Sequence, residues 1–306
     1  MKIYIVGSGG VGGYLGAVLA KAGNEVVFLA RGEHYQAIKT RGLEVKSVVG
    51  DFRVYPTQAV NSVKEISDPD LIIFAVKTYD TEGLAKQLAG VVNEKTAIIT
   101  FQNGVGNDEQ IKQYLNKAKI YPGVVYIIST KTRPGLIEQT GGLRKFIFGN
   151  RKNTENFELK EIEQIFKNAG VDTVLSGEIE LELWRKFLFI LPFSGMTAIC
   201  RSPIGKVLAD PITNNLYQKC LNEALSVAKV KGVKLEPGSF ERIMDISKTT
   251  DPNSKSSLLV DIEKGRKTEI ETLNGSLVKL AQELDIETPI NELIYGAIKL
   301  WASAFS

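Results

Sequence analysis

The sequence predicts an α/β fold in which a mostly parallel sheet domain is followed by an all-helical domain. The first half of the chain alternates continuous apolar runs of strand length with helical segments, and such runs are typical of strands covered on both faces. The second half shows helical patterns and no convincing strand. A length of 306 residues suits about two domains, and we place their boundary near Ser176-Gly177, which gives domains of residues 1–176 and 177–306.

The elements of the first domain follow one another in the order expected of a Rossmann-type sheet. Lys2–Val6 is an apolar run that ends in a glycine-rich turn, and the helix predicted over Val11–Lys21 is closed by Gly23. The elements predicted next are a strand at Glu25–Ala30, a helix around Glu33–Arg41, a hairpin of Leu43–Ser47 and Phe52–Tyr55, and strands at Leu71–Val76 and Ala97–Phe101.

Residues 119–150 change to short strands split by Pro-Gly and Gly-Gly turns, which predicts an antiparallel edge on the same sheet. The elements predicted here are strands at Val124–Ser129, Gly135–Gln139 and Lys145–Phe148, a helix around Glu158–Asn168 and a strand at Thr173–Leu175. The helices predicted after the boundary are Glu180–Cys200, Pro211–Lys231, Pro237–Lys248, Ser256–Arg266, Ile270–Leu284 and Pro289–Ala304.

The composition argues against several classes of function. There are 38 basic and 35 acidic residues, and no basic block stands out, so we expect neither a nucleic-acid nor a membrane partner. Two cysteines and one histidine offer too little material for a disulfide framework, a zinc site or a Ser-His-Asp triad, and we predict no metal. With no apolar run near ~18 residues and a strand that starts at Ile3, we expect a cytoplasmic protein without a leader.

The glycine-rich turn has the spacing Gly-x-Gly-x-x-Gly between a strand and a helix, the context in which this pattern binds dinucleotides. Gly7 permits the tight turn, Gly9 lets a pyrophosphate approach the backbone, and Gly12 lets helix and strand pack closely. The predicted cofactor contacts in this turn are Gly7, Ser8, Gly9, Gly10, Val11 and Gly12.

The end of the second strand distinguishes between the two nicotinamide dinucleotides. An NAD enzyme would place Asp or Glu there for the ribose hydroxyls, whereas this chain has Ala30-Arg31-Gly32. The guanidinium of Arg31 suits a 2′-phosphate, which favours NADP, although a solvated arginine is the alternative. We interpret His34 as a surface helix residue rather than a ligand.

Two further strand ends lie at the sheet edge where open α/β sheets bind ligands. Lys77 follows one strand and Asn103-Gly104 follows the next, so both are candidates for ligand contacts. An exposed loop lysine and a plain turn remain the alternatives, because Asn-Gly is a common turn former.

With these motifs, the chain resembles the ketopantoate reductases (2-dehydropantoate 2-reductases) over essentially its full length. The segments that carry the resemblance are Gly7–Gly12, Arg31, Ala75–Thr78, Gln102–Gly106, Glu182–Lys186, Thr197–Ile199, Ser256–Leu258, Thr268–Ile270 and Asn274-Gly275. The resemblance implies an NADP-binding Rossmann domain joined to a helical substrate and catalytic domain. It also implies NADPH and a 2-oxo acid as ligands, a role in pantothenate biosynthesis, and chains that can form homodimers.

The resemblance also assigns roles by position. It implies that Lys186 is the catalytic lysine, that Glu269 interacts with the substrate near it, and that Ser257 binds the substrate. Asn103 would position nicotinamide, substrate and lysine, and Lys77 would line the cofactor side.

The chemistry fits a lysine, since a ketone that accepts a hydride becomes an alkoxide and needs a proton. An ammonium group can stabilise that charge and donate the proton, so no histidine is required. An i,i+4 surface pair with Glu182 is the alternative for Lys186, but the apolar residues around it disfavour a solvated lysine. The alternatives for Glu269 and Ser257 are a solvated charge and a simple helix-start residue.

Two departures from the family pattern concern the substrate. The family usually carries Asn four and eight residues after the lysine, where this chain has Ile190 and Ser194 on the same helix face. Ile190 cannot donate or accept a hydrogen bond, so the substrate could be a 2-oxo acid with a less polar tail. Pro192 should also kink the helix, because it cannot bond to the carbonyl of Leu188.

The function that the sequence favours is NADPH-dependent reduction of a 2-oxo acid, ketopantoate to pantoate, with Lys186 as the proton donor. A reductase of another 2-oxo acid or ketone on the same scaffold is the first alternative. A non-catalytic NADP-binding sensor is the alternative from a different class, because fold does not fix function.

Overall fold

The computed structural model describes residues 1–152, 154 and 156–303 of the chain. They form two compact units. The sheet unit consists of Met1–Gln102 and Gly106–Ile179, and the helical unit consists of Asn103–Val105 with the residues from Glu180 onward. A short segment of the first half of the sequence therefore belongs to the helical unit. The α/β class with its helical second part is confirmed.

The sheet unit contains ten strands and five α-helices in the described residues. Its strands are β1 (Lys2–Val6), β2 (Glu25–Leu29), β3 (Leu43–Ser47), β4 (Phe52–Val54), β5 (Gln58–Val60), β6 (Leu71–Phe74), β7 (Ala97–Thr100), β8 (Lys119–Arg133), β9 (Leu136–Gly149) and β10 (Asp172–Ser176). Its helices are α1 (Gly10–Lys21), α2 (Gly32–Arg41), α3 (Thr81–Leu88), α4 (Asn107–Lys112) and α5 (Phe157–Asn168).

The sheet has the strand order β4-β3-β9-β8-β7-β6-β1-β2-β5, with β10 paired to β9. The five strands from β5 through β7 pair in parallel, and so do β7 and β8. Consecutive residues of β1 contribute to two different apolar clusters: Ile3 and Ile5 to one, Tyr4 and Val6 to the other. Burial on both faces explains the continuous apolar runs, since strand side chains alternate between faces.

One expectation about this sheet was wrong. The three short strands predicted between residues 124 and 148 are parts of two long antiparallel strands, β8 and β9. Their pairing extends from Gly123 opposite Phe148 to Arg133 opposite Leu136, with bulges in the register. They are not the edge of the sheet, because β3, β4 and β10 lie beyond them. The Gly141-Gly142 pair that suggested a turn is accommodated within β9 as an irregularity. The short strand β5 was not predicted.

The helical unit contains seven α-helices in the described residues and no strand. They are α6 (Ile179–Ile199, whose first residue belongs to the sheet unit), α7 (Ile204–Ala209), α8 (Pro211–Val230), α9 (Ser239–Thr249), α10 (Ser257–Glu263), α11 (Asn274–Glu283) and α12 (Pro289–Ser303). A single apolar cluster forms the core, with Trp184 and Phe187 of α6 packed edge to face. The predicted helix Ile270–Leu284 is divided, because a 3₁₀ turn at Ile270–Thr272 precedes α11. Ala304, the predicted end of the last helix, lies outside the described residues.

Helix α6 continues through Pro192 for seven more residues, to Ile199. Proline removes one backbone donor, and the apolar residues of α6 on either side of it are held in the core of the helical unit. Within the described ranges, none of the helices has the length and apolar character needed to cross a bilayer. In the same ranges, no group of three or more His, Cys, Asp or Glu side chains is arranged to hold a metal ion.

Candidate active site

The glycine-rich turn between β1 and α1 allows backbone approaches that a side chain would block. Gly7 has φ +106°, and a Cβ there would lie 2.5 Å from the carbonyl carbon of Ala75. A Cβ on Gly12 would lie 2.3 Å from the carbonyl oxygen of Gly7. A Cβ on Gly9 would meet nothing within 4 Å. Gly7 and Gly12 are therefore required by packing, and Gly9 leaves the backbone open to an approaching group.

The first turn of α1 suits an anionic ligand. Gly9 is the N-cap residue and provides no side-chain cap, and no acidic residue lies in the first turn. N–H groups at a helix N-terminus and the positive end of the helix dipole attract phosphate. The open face at Gly9 and this uncapped turn together fit the pyrophosphate of a dinucleotide.

Two other predicted cofactor residues occupy different environments. The side chain of Ser8 is buried, and its hydroxyl donates to the carbonyl of Leu29 at 2.7 Å, so this hydroxyl is occupied within the sheet unit. Arg31 is exposed and has extended backbone as the N-cap of α2. Arg31 lies two residues after the end of β2, and neither Ala30 nor Arg31 carries a carboxylate.

His34 is not the surface residue that the sequence suggested. It is only 6% exposed, and its Nε2 lies 2.7 Å from the carbonyl oxygen of Ser8. The backbone N–H of Gly135, in the turn between β8 and β9, donates to its Nδ1 at 3.0 Å. The turn of helix α2 brings His34 inward beside the glycine-rich turn, a placement that local sequence cannot show.

Gln102, just after β7, has a structural role that was not predicted. Its amide nitrogen donates to the carbonyl of Val76 at 3.1 Å and to the hydroxyl of Thr81 at 2.8 Å, and its amide oxygen accepts from Thr100. These bonds fasten the segment that carries Lys77, which precedes a 3₁₀ turn at Thr78–Asp80. The sequence did contain a signal for this role, because Gln102 is a polar residue directly after the predicted buried strand Ala97–Phe101.

Lys186 and Asn103 come together within the helical unit. The ammonium nitrogen of Lys186, on α6, donates to the side-chain oxygen of Asn103 at 2.6 Å. Residues 103–105 are far from α6 in sequence, but Val105 packs against the core of the helical unit and holds this segment there. Burial lowers the pKa of Lys186 to about 8.

Glu269 acts on the same ammonium. Its carboxylate charge raises the pKa of Lys186, which partly offsets the effect of burial. Glu269 is the N-cap of the 3₁₀ turn at Ile270–Thr272, and its carbonyl accepts from the N–H groups of Thr272 and Leu273. Asn103, through a hydrogen bond, and Glu269, through its charge, therefore both act on the ammonium of Lys186.

The remaining predicted substrate residues lie on α6 and α10. Ser257 is exposed as the first residue of α10, whereas Ser256 is buried and caps that helix by accepting from the N–H of Leu259. The hydroxyls of Ser256 and Thr197 lie 2.7 Å apart and join α10 to α6. This connection was not foreseen.

Ile190 and Ser194 lie one and two turns after Lys186 on α6. Ile190 is partly buried against the core of the helical unit, and Ser194 is only 5% exposed. At Ile190 the helix therefore has an apolar side chain, where the family pattern usually has the amide of an asparagine.

Comparison with known proteins identifies families that match both parts of the chain. The family described as ketopantoate reductase PanE/ApbA matches residues 3–153. The family described as the C-terminal part of ketopantoate reductase PanE/ApbA matches residues 178–302. Together these two matches cover most of the sequence.

Individual relatives match over nearly their full length. The uncharacterized oxidoreductase YkpB of Bacillus subtilis is 30% identical over 301 residues, which cover 98% of this chain and 99% of that protein. The 2-dehydropantoate 2-reductase of a Nostoc species is 27% identical and is matched over 94% of its length by 97% of this chain. The crystal structure of a PanE/ApbA family ketopantoate reductase from Ralstonia eutropha is 28% identical, with a TM-score of 0.92 and coverage of 100% of this chain and 99% of that one.

The charge of Glu269 gives a first prediction. Glu269→Gln removes the carboxylate that raises the pKa of Lys186, so that pKa should fall below about 8. The measurement is an NMR titration of ¹³C-labelled lysine, with the Lys186 signal assigned by its loss in Lys186→Arg. Glu263→Gln is the matched control, because Glu263 pairs with Lys255 and should leave the Lys186 titration unchanged. A Lys186 pKa that is equal in Glu269→Gln and the wild type would contradict this account.

Proposed function

The chain belongs to the ketopantoate reductase PanE/ApbA family, and from this membership we propose that it reduces a 2-oxo acid with NADPH. The substrate proposed first is 2-dehydropantoate (ketopantoate), with pantoate as the product, because relatives such as the Nostoc protein bear that name. The observation that carries the proposal is the bond between the partly buried ammonium of Lys186 and the side chain of Asn103.

In this proposal, Lys186 supplies the proton that the reaction needs. When bound, a reduced nicotinamide would supply the hydride. The ammonium of Lys186 stabilises negative charge on the substrate oxygen and then donates its proton to that oxygen. Asn103 holds the ammonium in place by accepting one of its three N–H bonds, which leaves the others for the substrate and its surroundings.

The pKa of Lys186 suits this role at neutral pH. A lysine with a pKa of about 8 is mostly protonated at pH 7, yet it gives up its proton far more easily than a solvated lysine of pKa ~10.4. General acids work best when their pKa lies near the working pH. Glu269 favours the protonated form of Lys186, because its charge raises the pKa of that group.

We propose the sheet domain, residues 1–176, as the NADP-binding part and residues 177–306 as the substrate and catalytic part. Gly7 to Gly12 would hold the pyrophosphate through backbone N–H groups, as the open backbone at Gly9 supports. Arg31 would bind the 2′-phosphate, and Lys77 and Asn103 would complete the cofactor contacts. Ser257 and Glu269 would bind the substrate with Lys186.

A second candidate is a 2-oxo acid or ketone with a less polar tail than ketopantoate. The specific observation that favours it is Ile190, which presents an apolar side chain one turn after Lys186. A hydroxyl group on the substrate gains nothing there, whereas an alkyl or aryl tail would be buried favourably.

The reductase function predicts that activity depends on Lys186. Lys186→Ala should lower kcat for NADPH oxidation with a 2-oxo acid by about 10²–10⁴-fold, because the proton donor is lost. In the wild type, the rate of reduction should fall as the pH rises through about 8, because Lys186 then loses its proton. The measurement is the absorbance of NADPH at steady state, and the exposed Lys219→Ala is the matched control. Binding of NADPH with no turnover that depends on Lys186 would favour the sensor alternative.

The choice of NADP predicts an asymmetric effect at Arg31. Arg31→Asp removes the partner of the 2′-phosphate and adds repulsion, so the Kd for NADPH should rise by about ten- to a hundredfold, while the Kd for NADH changes little. Fluorescence titration with both dinucleotides measures this. Arg41→Asp, at the other end of α2, makes the same charge change away from the end of β2 and should affect neither Kd. An equal loss for NADPH and NADH would remove the assignment.

Ile190 provides a test that separates the two substrates. Ile190→Asn restores an amide at this position and should raise kcat/KM for ketopantoate relative to 2-oxoisovalerate by about tenfold. Ile212→Asn makes the same change at an exposed position of α8 and should not alter the ratio. If the wild type already prefers ketopantoate and Ile190→Asn leaves the ratio unchanged, the proposal of a less polar substrate fails.

A further inference from the structure

His34 links the glycine-rich turn to the turn between β8 and β9. The carbonyl oxygen of Ser8 can only accept a hydrogen bond, so the Nε2 of His34, 2.7 Å away, must be the donor. The N–H of Gly135 can only donate, so Nδ1 is the acceptor. These two backbone partners together require a neutral ring with its proton on Nε2.

The bond to Ser8 fixes more than one carbonyl group. A trans peptide is planar, and the C=O of Ser8 and the N–H of Gly9 belong to the same plane and point in opposite directions. Holding the carbonyl of Ser8 therefore also fixes the direction of the N–H of Gly9. Gly9 is the glycine whose surroundings are open, where a Cβ would meet no atom within 4 Å.

Two other hydrogen bonds fasten the glycine-rich turn from different directions. The hydroxyl of Ser8 donates to Leu29 of β2, and the hydroxyl of Ser129 on β8 donates to the carbonyl of Gly10 at 2.9 Å. His34 provides the side-chain bond to the carbonyl of Ser8, between these two anchors. Burial lowers the pKa of His34, although its bond to Ser8 opposes this, and the charge of Lys131 lowers it further. The neutral ring is therefore the stable form at neutral pH.

We propose that His34 is a positioning residue for the dinucleotide, which acts by holding the peptide between Ser8 and Gly9 so that the N–H of Gly9 is directed toward the pyrophosphate. This inference rests on the proposed binding of NADPH. His34 itself contacts backbone atoms of the sheet unit and acts through Gly9.

Two substitutions separate the two bonds of the ring. The amide nitrogen of glutamine in His34→Gln can reach the position of Nε2 and donate to Ser8. The shorter asparagine in His34→Asn places its amide oxygen near the position of Nδ1, so it retains the bond to Gly135 and loses the bond to Ser8. His34→Asn should raise the Kd for NADPH by about tenfold, the value of one hydrogen bond, and His34→Gln should stay within about threefold of the wild type.

The binding is measured by fluorescence titration of the full chain with NADPH and with adenosine 2′-monophosphate, alongside the melting temperature. Because adenosine 2′-monophosphate lacks the pyrophosphate, its Kd should be the same in His34→Asn and the wild type. The KM for NADPH should rise in His34→Asn, and kcat at saturating NADPH should not change. Ile38→Val, in the core on the same helix, is the control for a loss of stability that leaves the glycine-rich turn in place.

The outcomes distinguish the inference from the function on which it rests. If His34→Asn binds NADPH as tightly as the wild type, or if both variants lose affinity for NADPH and adenosine 2′-monophosphate equally, positioning by His34 is refuted while the proposed function stands. If the wild-type chain binds no NADPH, both are refuted.

Discussion

A partly buried ammonium group, that of Lys186, is the most demanding feature of the helical unit. Transfer of a charge out of water is unfavourable unless hydrogen bonds and opposite charge replace the solvent. Lys186 donates one hydrogen bond to Asn103, and the carboxylate of Glu269 favours the charged form of the lysine. The segment of residues 103–105 belongs to the helical unit, and its Val105 packs into the core there. Burial destabilises the charged form of Lys186, and the same burial lowers its pKa to about 8, which is a useful value for a proton donor.

The sheet unit meets a different constraint, because its glycine-rich turn must expose backbone N–H groups without a side chain to shield them. Gly7 and Gly12 satisfy the close approach of strand and helix. The turn is held by the hydroxyl of its own Ser8, which donates to Leu29, and from outside by the hydroxyl of Ser129 and the ring of His34. Rigid peptides bind an anion with little loss of conformational entropy, so these bonds complement the glycines, which are the most flexible residues in the unfolded chain.

Much of the fold could be predicted because its strands are short, apolar and separated by strong turn signals. The bounds of β1, β2, β6 and β7 agree with the sequence to within two residues. The prediction failed at β8 and β9, where Gly141-Gly142 was interpreted as a turn although two paired strands absorb such irregularities as bulges. It failed again at Ile270–Leu284, because the division into a 3₁₀ turn and α11 depends on packing and not on local propensity.

The sequence by itself determined the α/β class and the position of the glycine-rich turn, because both rest on residue type and spacing. Its resemblance to the ketopantoate reductases made Lys186, Asn103 and Glu269 candidates. Only the tertiary structure decided that Asn103 bonds to Lys186, that the lysine is buried enough to lower its pKa, and that His34 faces inward to Ser8. These are contacts between residues 26 to 101 positions apart, as with His34 and Ser8 or His34 and Gly135, and local pattern carries no information about such distances. The solvent exposure of a side chain depends on the elements that pack over it. The sequence pattern of one helix carries no information about those elements.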